Sequence, residues 1–212
     1  LCTSNEEQMW QVRERVAFVF QNPDNQLVAS IVEDDVAFGA ENIGLPREEI
    51  GERIEFALSA VGMEEYRYST PARMSGGQKQ RIAIAGVLAV RPEVLVLDES
   101  TAMLDPRGRR EVMEVVERLN RENGMSVVLI THYMDEVAKA DRVIVLSDGR
   151  IAMTGSPREV FSRGEELKTY GLSLPVPAQI AQKLREKGVP ANGAALTAEE
   201  LSEELCELLR RD

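Results

Sequence analysis

Cysteine, histidine and aromatic residues are scarce in this chain, and the cysteine count excludes two kinds of site. The 212 residues include two cysteines, Cys2 and Cys206, one histidine and 5% aromatic residues. Two cysteines so far apart in the sequence provide neither a disulfide framework nor a metal-binding cluster. This cysteine usage favours a reducing cytosol. The hydrophobic fraction, 43%, is ordinary for a globular protein, so we expect the chain to fold around a hydrophobic core.

Long apolar runs and an excess of positive charge are also missing. The longest apolar run, residues 82–90, is too short to span a bilayer, and no signal peptide is visible at the start. The 25 Lys and Arg residues are outnumbered by 36 Asp and Glu residues, which gives a net charge of −11. An acidic surface argues against binding to nucleic acid and against direct docking on anionic lipid. We therefore expect any membrane association to go through a partner protein, without direct insertion.

Apolar strands alternate with amphipathic helices along much of the chain. Strands are predicted at residues 15–20, 93–97 and 126–131, and a hairpin at 142–155. A short helix is predicted to begin at Ser30, which has Glu33 in capping-box spacing. Further helices are predicted at 46–62, 75–90 and 105–123. Continuous apolar strands that alternate with helices indicate a mostly parallel sheet covered on both faces. The predicted fold class is therefore α/β.

Two regions depart from this alternation. Residues from about 25 to 90 are predicted to be largely helical, so we expect a helical subdomain within a domain that covers residues 1–163. After that domain the composition changes, and prolines precede two helical patterns. The second of these begins at Thr197, which has Glu200 in capping-box spacing. We predict that residues 164–212 form a small C-terminal helical extension.

Two carboxylates stand side by side where the apolar strand "VLVLDES" ends. Asp98 and Glu99 carry like charges that repel, and burying either one unpaired is costly. In α/β sheets, ligands bind at the carboxyl ends of the strands. A phosphate-bound Mg²⁺ would supply the missing positive charge, with one carboxylate holding the metal and the other orienting a water. The alternative is that two acids simply begin a loop, and this pair alone does not decide between the two.

The segment "SGGQKQR" also has two interpretations. Ser75 and Gln78 have capping-box spacing, which is typical of an ordinary helix start. The intervening Gly76 and Gly77 lower helix propensity, but they let backbone N–H groups approach an anion at the positive end of a helix. The segment is therefore either a simple cap or a phosphate cradle.

Three further polar residues stand where predicted elements begin or end. His132, the only histidine of the sequence, and Gln21 each follow an apolar strand. The imidazole could contact a phosphate or an attacking water, and the amide could reach Mg²⁺ or that water. On its own, a single histidine is more often structural, and Gln21 is better interpreted as a loop residue. Asp105 has the position of an N-cap before Pro106, and that role does not exclude a functional contact.

The order of these segments is more specific than any of them alone. "QNPDNQ", "SGGQKQR", "LVLDEST", "AMLDP" and "LITH" follow one another between residues 21 and 132. This order resembles the motifs of the ATP-binding-cassette (ABC) ATPases. The resemblance implies a P-loop NTPase-like ABC ATPase core with a mostly parallel sheet and a helical subdomain, which binds ATP and Mg²⁺.

The resemblance also implies a role for each motif residue. Glu99 is similar to the catalytic glutamate and His132 to the switch histidine. Asp98 matches the aspartate that holds Mg²⁺, and Gln21 matches the Q-loop glutamine, which contacts both Mg²⁺ and ATP. The remaining implied ATP contacts are Ser75, Gly76, Gly77 and Gln78 of the signature motif, which reach ATP held by the opposite subunit, and Asp105 of the D-loop.

Longer segments, such as "VFQNPDNQLVASIVEDDVAFGAENIGLP" and "THYMDEVAKADRVIVL", are similar to the ATPase subunits of energy-coupling factor transporters. These are prokaryotic importers of vitamins and of cobalt or nickel ions. The resemblance covers about residues 5–175. It implies a second ABC ATPase subunit, identical or related, beneath a membrane scaffold subunit that joins a substrate-binding membrane protein. The chain would then be a peripheral subunit at the cytoplasmic face of the cell membrane.

Two other functions remain open at this point. A soluble, non-transport ABC protein of DNA repair, chromosome maintenance or translation usually carries coiled-coil insertions, zinc-binding cysteines or a basic face, and none is visible here. A non-catalytic partner would not need Glu99 and His132. The acidic charge and the short helical region favour transport.

The phosphate-binding loop of the family, G-x-x-x-x-G-K-[ST], should precede the Q-loop. No Gly-Lys pair occurs anywhere in the 212 residues. That loop supplies backbone N–H groups, a lysine for the β- and γ-phosphates and a hydroxyl for Mg²⁺. We therefore expect this chain to be an N-terminally truncated piece of a complete ATPase.

We predict that the 212 residues alone hydrolyse no ATP, whereas the same chain with a restored N-terminal segment does. Loss of a single preorganised donor costs about 10²–10³ in rate, and here a whole cradle and its lysine are missing. Steady-state phosphate release, measured with and without the added segment, checks the prediction. Robust turnover by the bare chain would contradict it.

Overall fold

The computed structural model describes residues 5–191 and 195–210 of the chain. These fall into two units, Leu1–Ile130 and Thr131–Asp212. The predicted division into residues 1–163 and 164–212 stays a prediction. Cys2 lies outside the described residues, and Cys206 is a free, exposed thiol.

Among the described residues of the first unit, three short parallel strands form a sheet in the order β1-β2-β3. They are β1, Val16–Val19, β2, Val94–Asp98, and β3, Ser126–Ile130. Ala17 stands opposite Leu95, which stands opposite Val127. The parallel sheet predicted from the apolar runs is confirmed, and its strands all end at the same edge.

Helices precede β1 and connect the strands of this sheet. They are α1, Glu6–Arg15, α2, Val32–Asn42, α3, Arg47–Val61, α4, Gly76–Leu88, and α5, Pro106–Asn123, with 3₁₀ turns at Pro23–Asn25, Glu64–Tyr66 and Pro71–Arg73. The predicted helices at 46–62, 75–90 and 105–123 are confirmed to within two residues. The first of them ends at Gly62, whose φ of 64° forms the expected left-handed cap.

In the first unit, α4 contacts β1, α2, α3 and α5. After its first turn, α4 is buried on most sides, and a helix that is apolar around its circumference is typical of a protein interior. Its most buried apolar side chains are Ile82, Ala83, Ile84, Ala85 and Leu88. α4 is thus packed against both the sheet and the neighbouring helices.

The start of α2 differs from the prediction. A capping box from Ser30 to Glu33 was expected, but the helix begins at Val32 without a side-chain cap. The carbonyl of Ser69 accepts the Val32 N–H at 3.1 Å, and that of Arg67 accepts the Glu33 N–H at 2.9 Å. The Glu33 carboxylate pairs with the Arg67 guanidinium instead of closing a cap. Tertiary contacts therefore satisfy the donors for which a local cap was predicted.

The second unit begins with a helix and a hairpin. Its elements are α6, Met134–Val137, β4, Val143–Ser147, β5, Arg150–Gly155, α7, Pro157–Ser162, α8, Gly164–Thr169, α9, Val176–Glu186, and α10, Ala198–Leu209. The predicted hairpin is confirmed, with positive φ angles of 50° at Asp148 and 72° at Gly149 in its turn. The Thr197 hydroxyl accepts the Glu200 N–H at 3.2 Å and caps α10, which is one half of the predicted capping box. The Glu200 carboxylate accepts the Leu196 N–H at 2.8 Å instead of the Thr197 N–H. Throughout the part of the chain that the structure describes, no helix is both long and apolar enough to cross a membrane.

The first turns of α4 and α5 touch through two buried glycines. A Cβ added at Gly77 would lie 3.0 Å from the Cα of Gly108, which is closer than such atoms normally approach. The neighbouring atom belongs to the backbone and cannot swing away as a flexible side chain would. The helices therefore reach this separation only because residue 77 has no side chain.

We predict that Gly77→Ala lowers the free energy of unfolding by about 1–3 kcal/mol, because overpacking forces the two helices apart. Gly51→Ala in α3 is the matched control, since a Cβ there meets nothing within 4 Å. It should leave stability unchanged or raise it by about 0.5–1 kcal/mol through helix propensity. Urea unfolding followed by circular dichroism measures both. Equal effects of the two variants would contradict the packing explanation.

Candidate active site

Two carboxylates lie at the edge where the strands of the sheet end. Asp98 is the last residue of β2 and pairs in register with Ile130. Glu99 follows with a φ of 47°, in the left-handed region that side-chain-bearing residues seldom adopt. Its N–H donates to the Ile130 carbonyl at 2.9 Å, and its own carbonyl accepts the Ala102 N–H at 2.9 Å. These hydrogen bonds hold a strained backbone in place, as is common at functional sites.

Gln21 reaches the same edge from β1. This strand ends at Val19, and two residues later the Gln21 Nε2 atom donates to Glu99 Oε2 at 3.2 Å. The sequence separates these residues by 78 positions, and parallel pairing of the strands brings them together. The interpretation of Gln21 as a mere loop residue is therefore incomplete. The predicted roles of Gln21, Asp98 and Glu99 in binding and catalysis stay predictions.

The segment 75–78 forms the capping box that its spacing predicts. The Ser75 hydroxyl accepts the Gln78 N–H at 3.3 Å, and Gln78 Oε1 accepts the Ser75 N–H at 3.0 Å. Ser75 and Gly76 are exposed, whereas Gly77 is buried against α5. The cap interpretation is confirmed. It leaves an exposed helix start at which an anion could bind, so the predicted ATP contacts of these residues are compatible with the geometry and stay predictions.

Asp105 is the N-cap of α5. Its Oδ1 atom accepts the Gly108 N–H at 2.7 Å, and Pro106 takes the first helical position. The structural role predicted for Asp105 is confirmed, and its contact with ATP stays a prediction.

His132 belongs to the second unit and is exposed. Its ring lies 4.3 Å from the ring of Tyr133, whose N–H donates to the Thr131 hydroxyl at 3.0 Å. This local turn fixes the backbone directly after the histidine. The catalytic role predicted for His132 stays a prediction.

The contacts that connect the loop after β1 to α4 were not predicted from the sequence. Lys79 Nζ lies 2.7 Å from Asp24 Oδ1, Gln80 Nε2 donates to the Phe20 carbonyl at 3.2 Å, and Gln26 Nε2 donates to the Ala83 carbonyl at 3.3 Å. No local signal marks Gln80, because it stands within the polar run 78–81 at the start of α4.

The donor set at the sheet edge suits Mg²⁺ that is already bound to phosphate. Among the described residues, no group of three or more His, Cys, Asp or Glu side chains lies close enough to hold a metal ion. Mg²⁺ usually binds through one or two carboxylates together with substrate phosphates and waters. The carboxylates of Asp98 and Glu99 and the amide of Gln21 are hard oxygen donors of this kind. The residues therefore fit a nucleotide-bound Mg²⁺ better than a metal site built by the protein alone.

Comparison with known proteins gives the family. A family model described as ABC transporter matches residues 2–102. The energy-coupling factor transporter ATP-binding protein EcfA1 of Symbiobacterium thermophilum is 57% identical over 211 residues, covering 100% of this chain and 74% of that protein. EcfA1 of Caldanaerobacter subterraneus is 53% identical over 204 residues, and the match covers 96% of this chain and 74% of that protein. The chain belongs to the family of energy-coupling factor transporter ATP-binding proteins.

Solved structures of ABC proteins share the fold. The structure of cbiO1 from Clostridium perfringens, described as part of the ABC transporter complex cbiONQ, has a TM-score of 0.73 and 38% identity, covering 87% of this chain and 70% of that chain. A dimeric structure of the ATP-binding cassette MJ0796 bound to ADP and Pi has a TM-score of 0.62 and 27% identity, covering 73% of this chain and 68% of that chain. The predicted ABC ATPase fold is confirmed.

We predict that Asp105→Ala lowers the free energy of unfolding by about 1 kcal/mol, because the Gly108 N–H loses its acceptor. Asp105→Asn keeps an oxygen in the same place and should retain nearly full stability. Chemical denaturation compares the two variants with the parent chain. If Asn were as destabilising as Ala, the side chain would contribute through its charge and not through the cap.

Proposed function

We propose that these residues serve in the ATP-binding, ATP-hydrolysing subunit of an energy-coupling factor ABC transporter and that Glu99 is its catalytic residue. The hydrogen bond between Gln21 and Glu99, beside Asp98 at the edge of the sheet, carries this proposal. Membership of the family supports it, and the comparisons give no support to a non-transport function.

Asp98 and Gln21 are the residues that would hold Mg²⁺. The amide nitrogen of Gln21 donates to Glu99, so its oxygen is the atom available to a cation. Asp98 contributes a carboxylate from the end of a rigid strand. Mg²⁺ held by these two residues would offset the negative charge that develops during phosphoryl transfer.

Glu99 would accept a hydrogen bond from a water and hold it in line with the γ-phosphate. Catalysis of phosphoryl transfer consists mainly of positioning and electrostatic stabilisation, so a fixed carboxylate is worth more than a mobile one. The backbone of Glu99 is held on both sides by hydrogen bonds to Ile130 and Ala102. We assign His132 a contact with the γ-phosphate or the same water.

The residues of the signature motif would act on ATP held by a second subunit. Ser75 and Gly76 are exposed at the start of a thirteen-residue helix, where backbone N–H groups and the helix dipole favour an anion. Asp105, at the start of the next helix, would lie beside them. The dimeric state of the MJ0796 cassette bound to ADP and Pi supports such a pairing. The second subunit would be an identical or a related ABC ATPase.

The remaining partners would lie in the membrane. cbiO1 is described as part of the complex cbiONQ, and this supports a partnership of our chain with a scaffold subunit and a substrate-binding subunit. In this arrangement the chain is a peripheral protein at the cytoplasmic face of the cell membrane. The imported solute would be a vitamin or a cobalt or nickel ion, selected by the substrate-binding subunit.

We predict that Glu99→Gln, made in the complete transporter, lowers the rate of ATP hydrolysis by about 10²–10³ while ATP binding is retained. The amide keeps the shape of the side chain but no longer accepts a proton or orients water as a carboxylate does. Phosphate release measures turnover of the complete transporter, and gel filtration of the isolated full-length ATPase subunit with ATP measures the closed dimer that should accumulate.

Glu93→Gln is the matched control for this experiment. It removes a carboxylate beside the opposite end of β2, where Glu93 is exposed and pairs only loosely with Arg15 at 3.6 Å. Its turnover should equal that of the parent. Unchanged hydrolysis by Glu99→Gln would refute the catalytic assignment of Glu99.

A further inference from the structure

Gln80 is a polar side chain in the interior of the first unit. It is 0% exposed, and its Nε2 atom donates to the Phe20 carbonyl at 3.2 Å. Its Oε1 atom is buried and has no partner among residues 5–191 and 195–210. Because the acceptor is a carbonyl, the amide nitrogen must face Phe20, and the oxygen faces the core. A buried, half-satisfied amide is less favourable than an apolar side chain of the same size, so packing alone does not explain Gln80.

A second glutamine completes the contact. Phe20 lies beyond the end of β1 at Val19, where the sheet no longer holds the backbone. Its N–H donates to Gln26 Oε1 at 3.3 Å, and the Nε2 atom of Gln26 donates to the Ala83 carbonyl of α4 at 3.3 Å. Both peptide groups of Phe20 are therefore bound by glutamine side chains that connect it to α4. We call this pair, Gln26 and Gln80, the glutamine clasp.

The clasp holds the residue immediately before Gln21. Gln21 in turn donates to Glu99, so two hydrogen bonds and the peptide bond between Phe20 and Gln21 connect α4 to the proposed catalytic carboxylate. Lys79 and Asp24 strengthen the connection with an ion pair of 2.7 Å between the same helix and the same loop. α4 begins at the exposed capping box of Ser75, five residues before Gln80. The position of Gln21 and the orientation of the signature helix are thus fixed to each other.

We infer that Gln80 is a positioning residue that sets the place of Gln21 relative to Glu99 and couples it to the orientation of α4. This inference rests on the proposed function, in which Gln21 and Glu99 act on ATP. The hydrogen bond that Gln80 donates goes to the Phe20 carbonyl and to neither of these residues. Gln80 acts through the Phe20 carbonyl, and its effect should depend on Gln21 being present.

The test is Gln80→Met in the complete transporter, which removes the hydrogen bond and keeps the length of the side chain. We expect kcat for ATP to fall about ten- to hundredfold, as a displaced reacting group generally produces. The KM for ATP should change less than kcat, and thermal unfolding should show a folded protein. Gln179→Met is the matched control, because Gln179 also donates from Nε2 to a backbone carbonyl, that of Leu174, at 2.6 Å in the second unit. Its kcat should be that of the parent.

A double variant separates positioning from general destabilisation. If Gln80 acts through Gln21, then Gln80→Met combined with Gln21→Ala should be no slower than Gln21→Ala alone. If the two effects multiply, or if Gln80→Met loses activity only in proportion to unfolded protein, the inference is wrong. If Gln80→Met fails to fold, Gln26→Met takes its place, because it removes the other half of the clasp at a partly exposed position. The same fall in kcat is expected of it, and its combination with Gln21→Ala should be no slower than Gln21→Ala alone.

The outcomes also distinguish this inference from the proposed function. Parent-like turnover of Gln80→Met, together with inactive Glu99→Gln, contradicts the inference alone. Full turnover of Gln21→Ala or of Glu99→Gln contradicts the proposed function, and with it the role given to Gln80.

Discussion

Parallel pairing of β1, β2 and β3 determines where the chemistry of this protein can occur. Parallel strands end at one edge, so residues that follow them meet there although the sequence separates them widely. Asp98 and Glu99 follow β2, and Gln21 arrives from β1 close enough to donate to Glu99. A shift of one residue in the register would turn the inward-facing Leu95 and Leu97 outward, so the buried face of the sheet also fixes the geometry of the site.

Several residues of the motifs serve folding and the proposed chemistry together. Ser75 caps α4, Asp105 caps α5, and Gly77 permits the contact between the two helices. Such residues would be needed for stability even if ATP never bound. A loss of activity on their substitution therefore has to be compared with a measurement of stability before it is attributed to catalysis.

The elements that the sequence predicted are those whose signals are local. Apolar runs gave the strands, and helical spacing with Gly62 gave α3. α1 was not predicted, because its ten residues are mostly polar and show no apolar stripe. The start of α2 was predicted wrongly, since carbonyls more than thirty residues away replace the expected cap. Motif order pointed to Gln21 and Glu99, but the glutamine clasp joins positions 60 residues apart. It leaves no local pattern, because Gln80 stands within the polar run 78–81.

The left-handed backbone of Glu99 has a consequence for how this protein can change over generations. A glycine at that position would relax the chain, whereas the acid keeps it in a conformation that costs free energy. Natural selection for persistence of the folded state and selection for turnover therefore act in opposite directions at one codon. A lineage that no longer needs to hydrolyse nucleotide could replace this carboxylate with glycine and gain stability of the folded state.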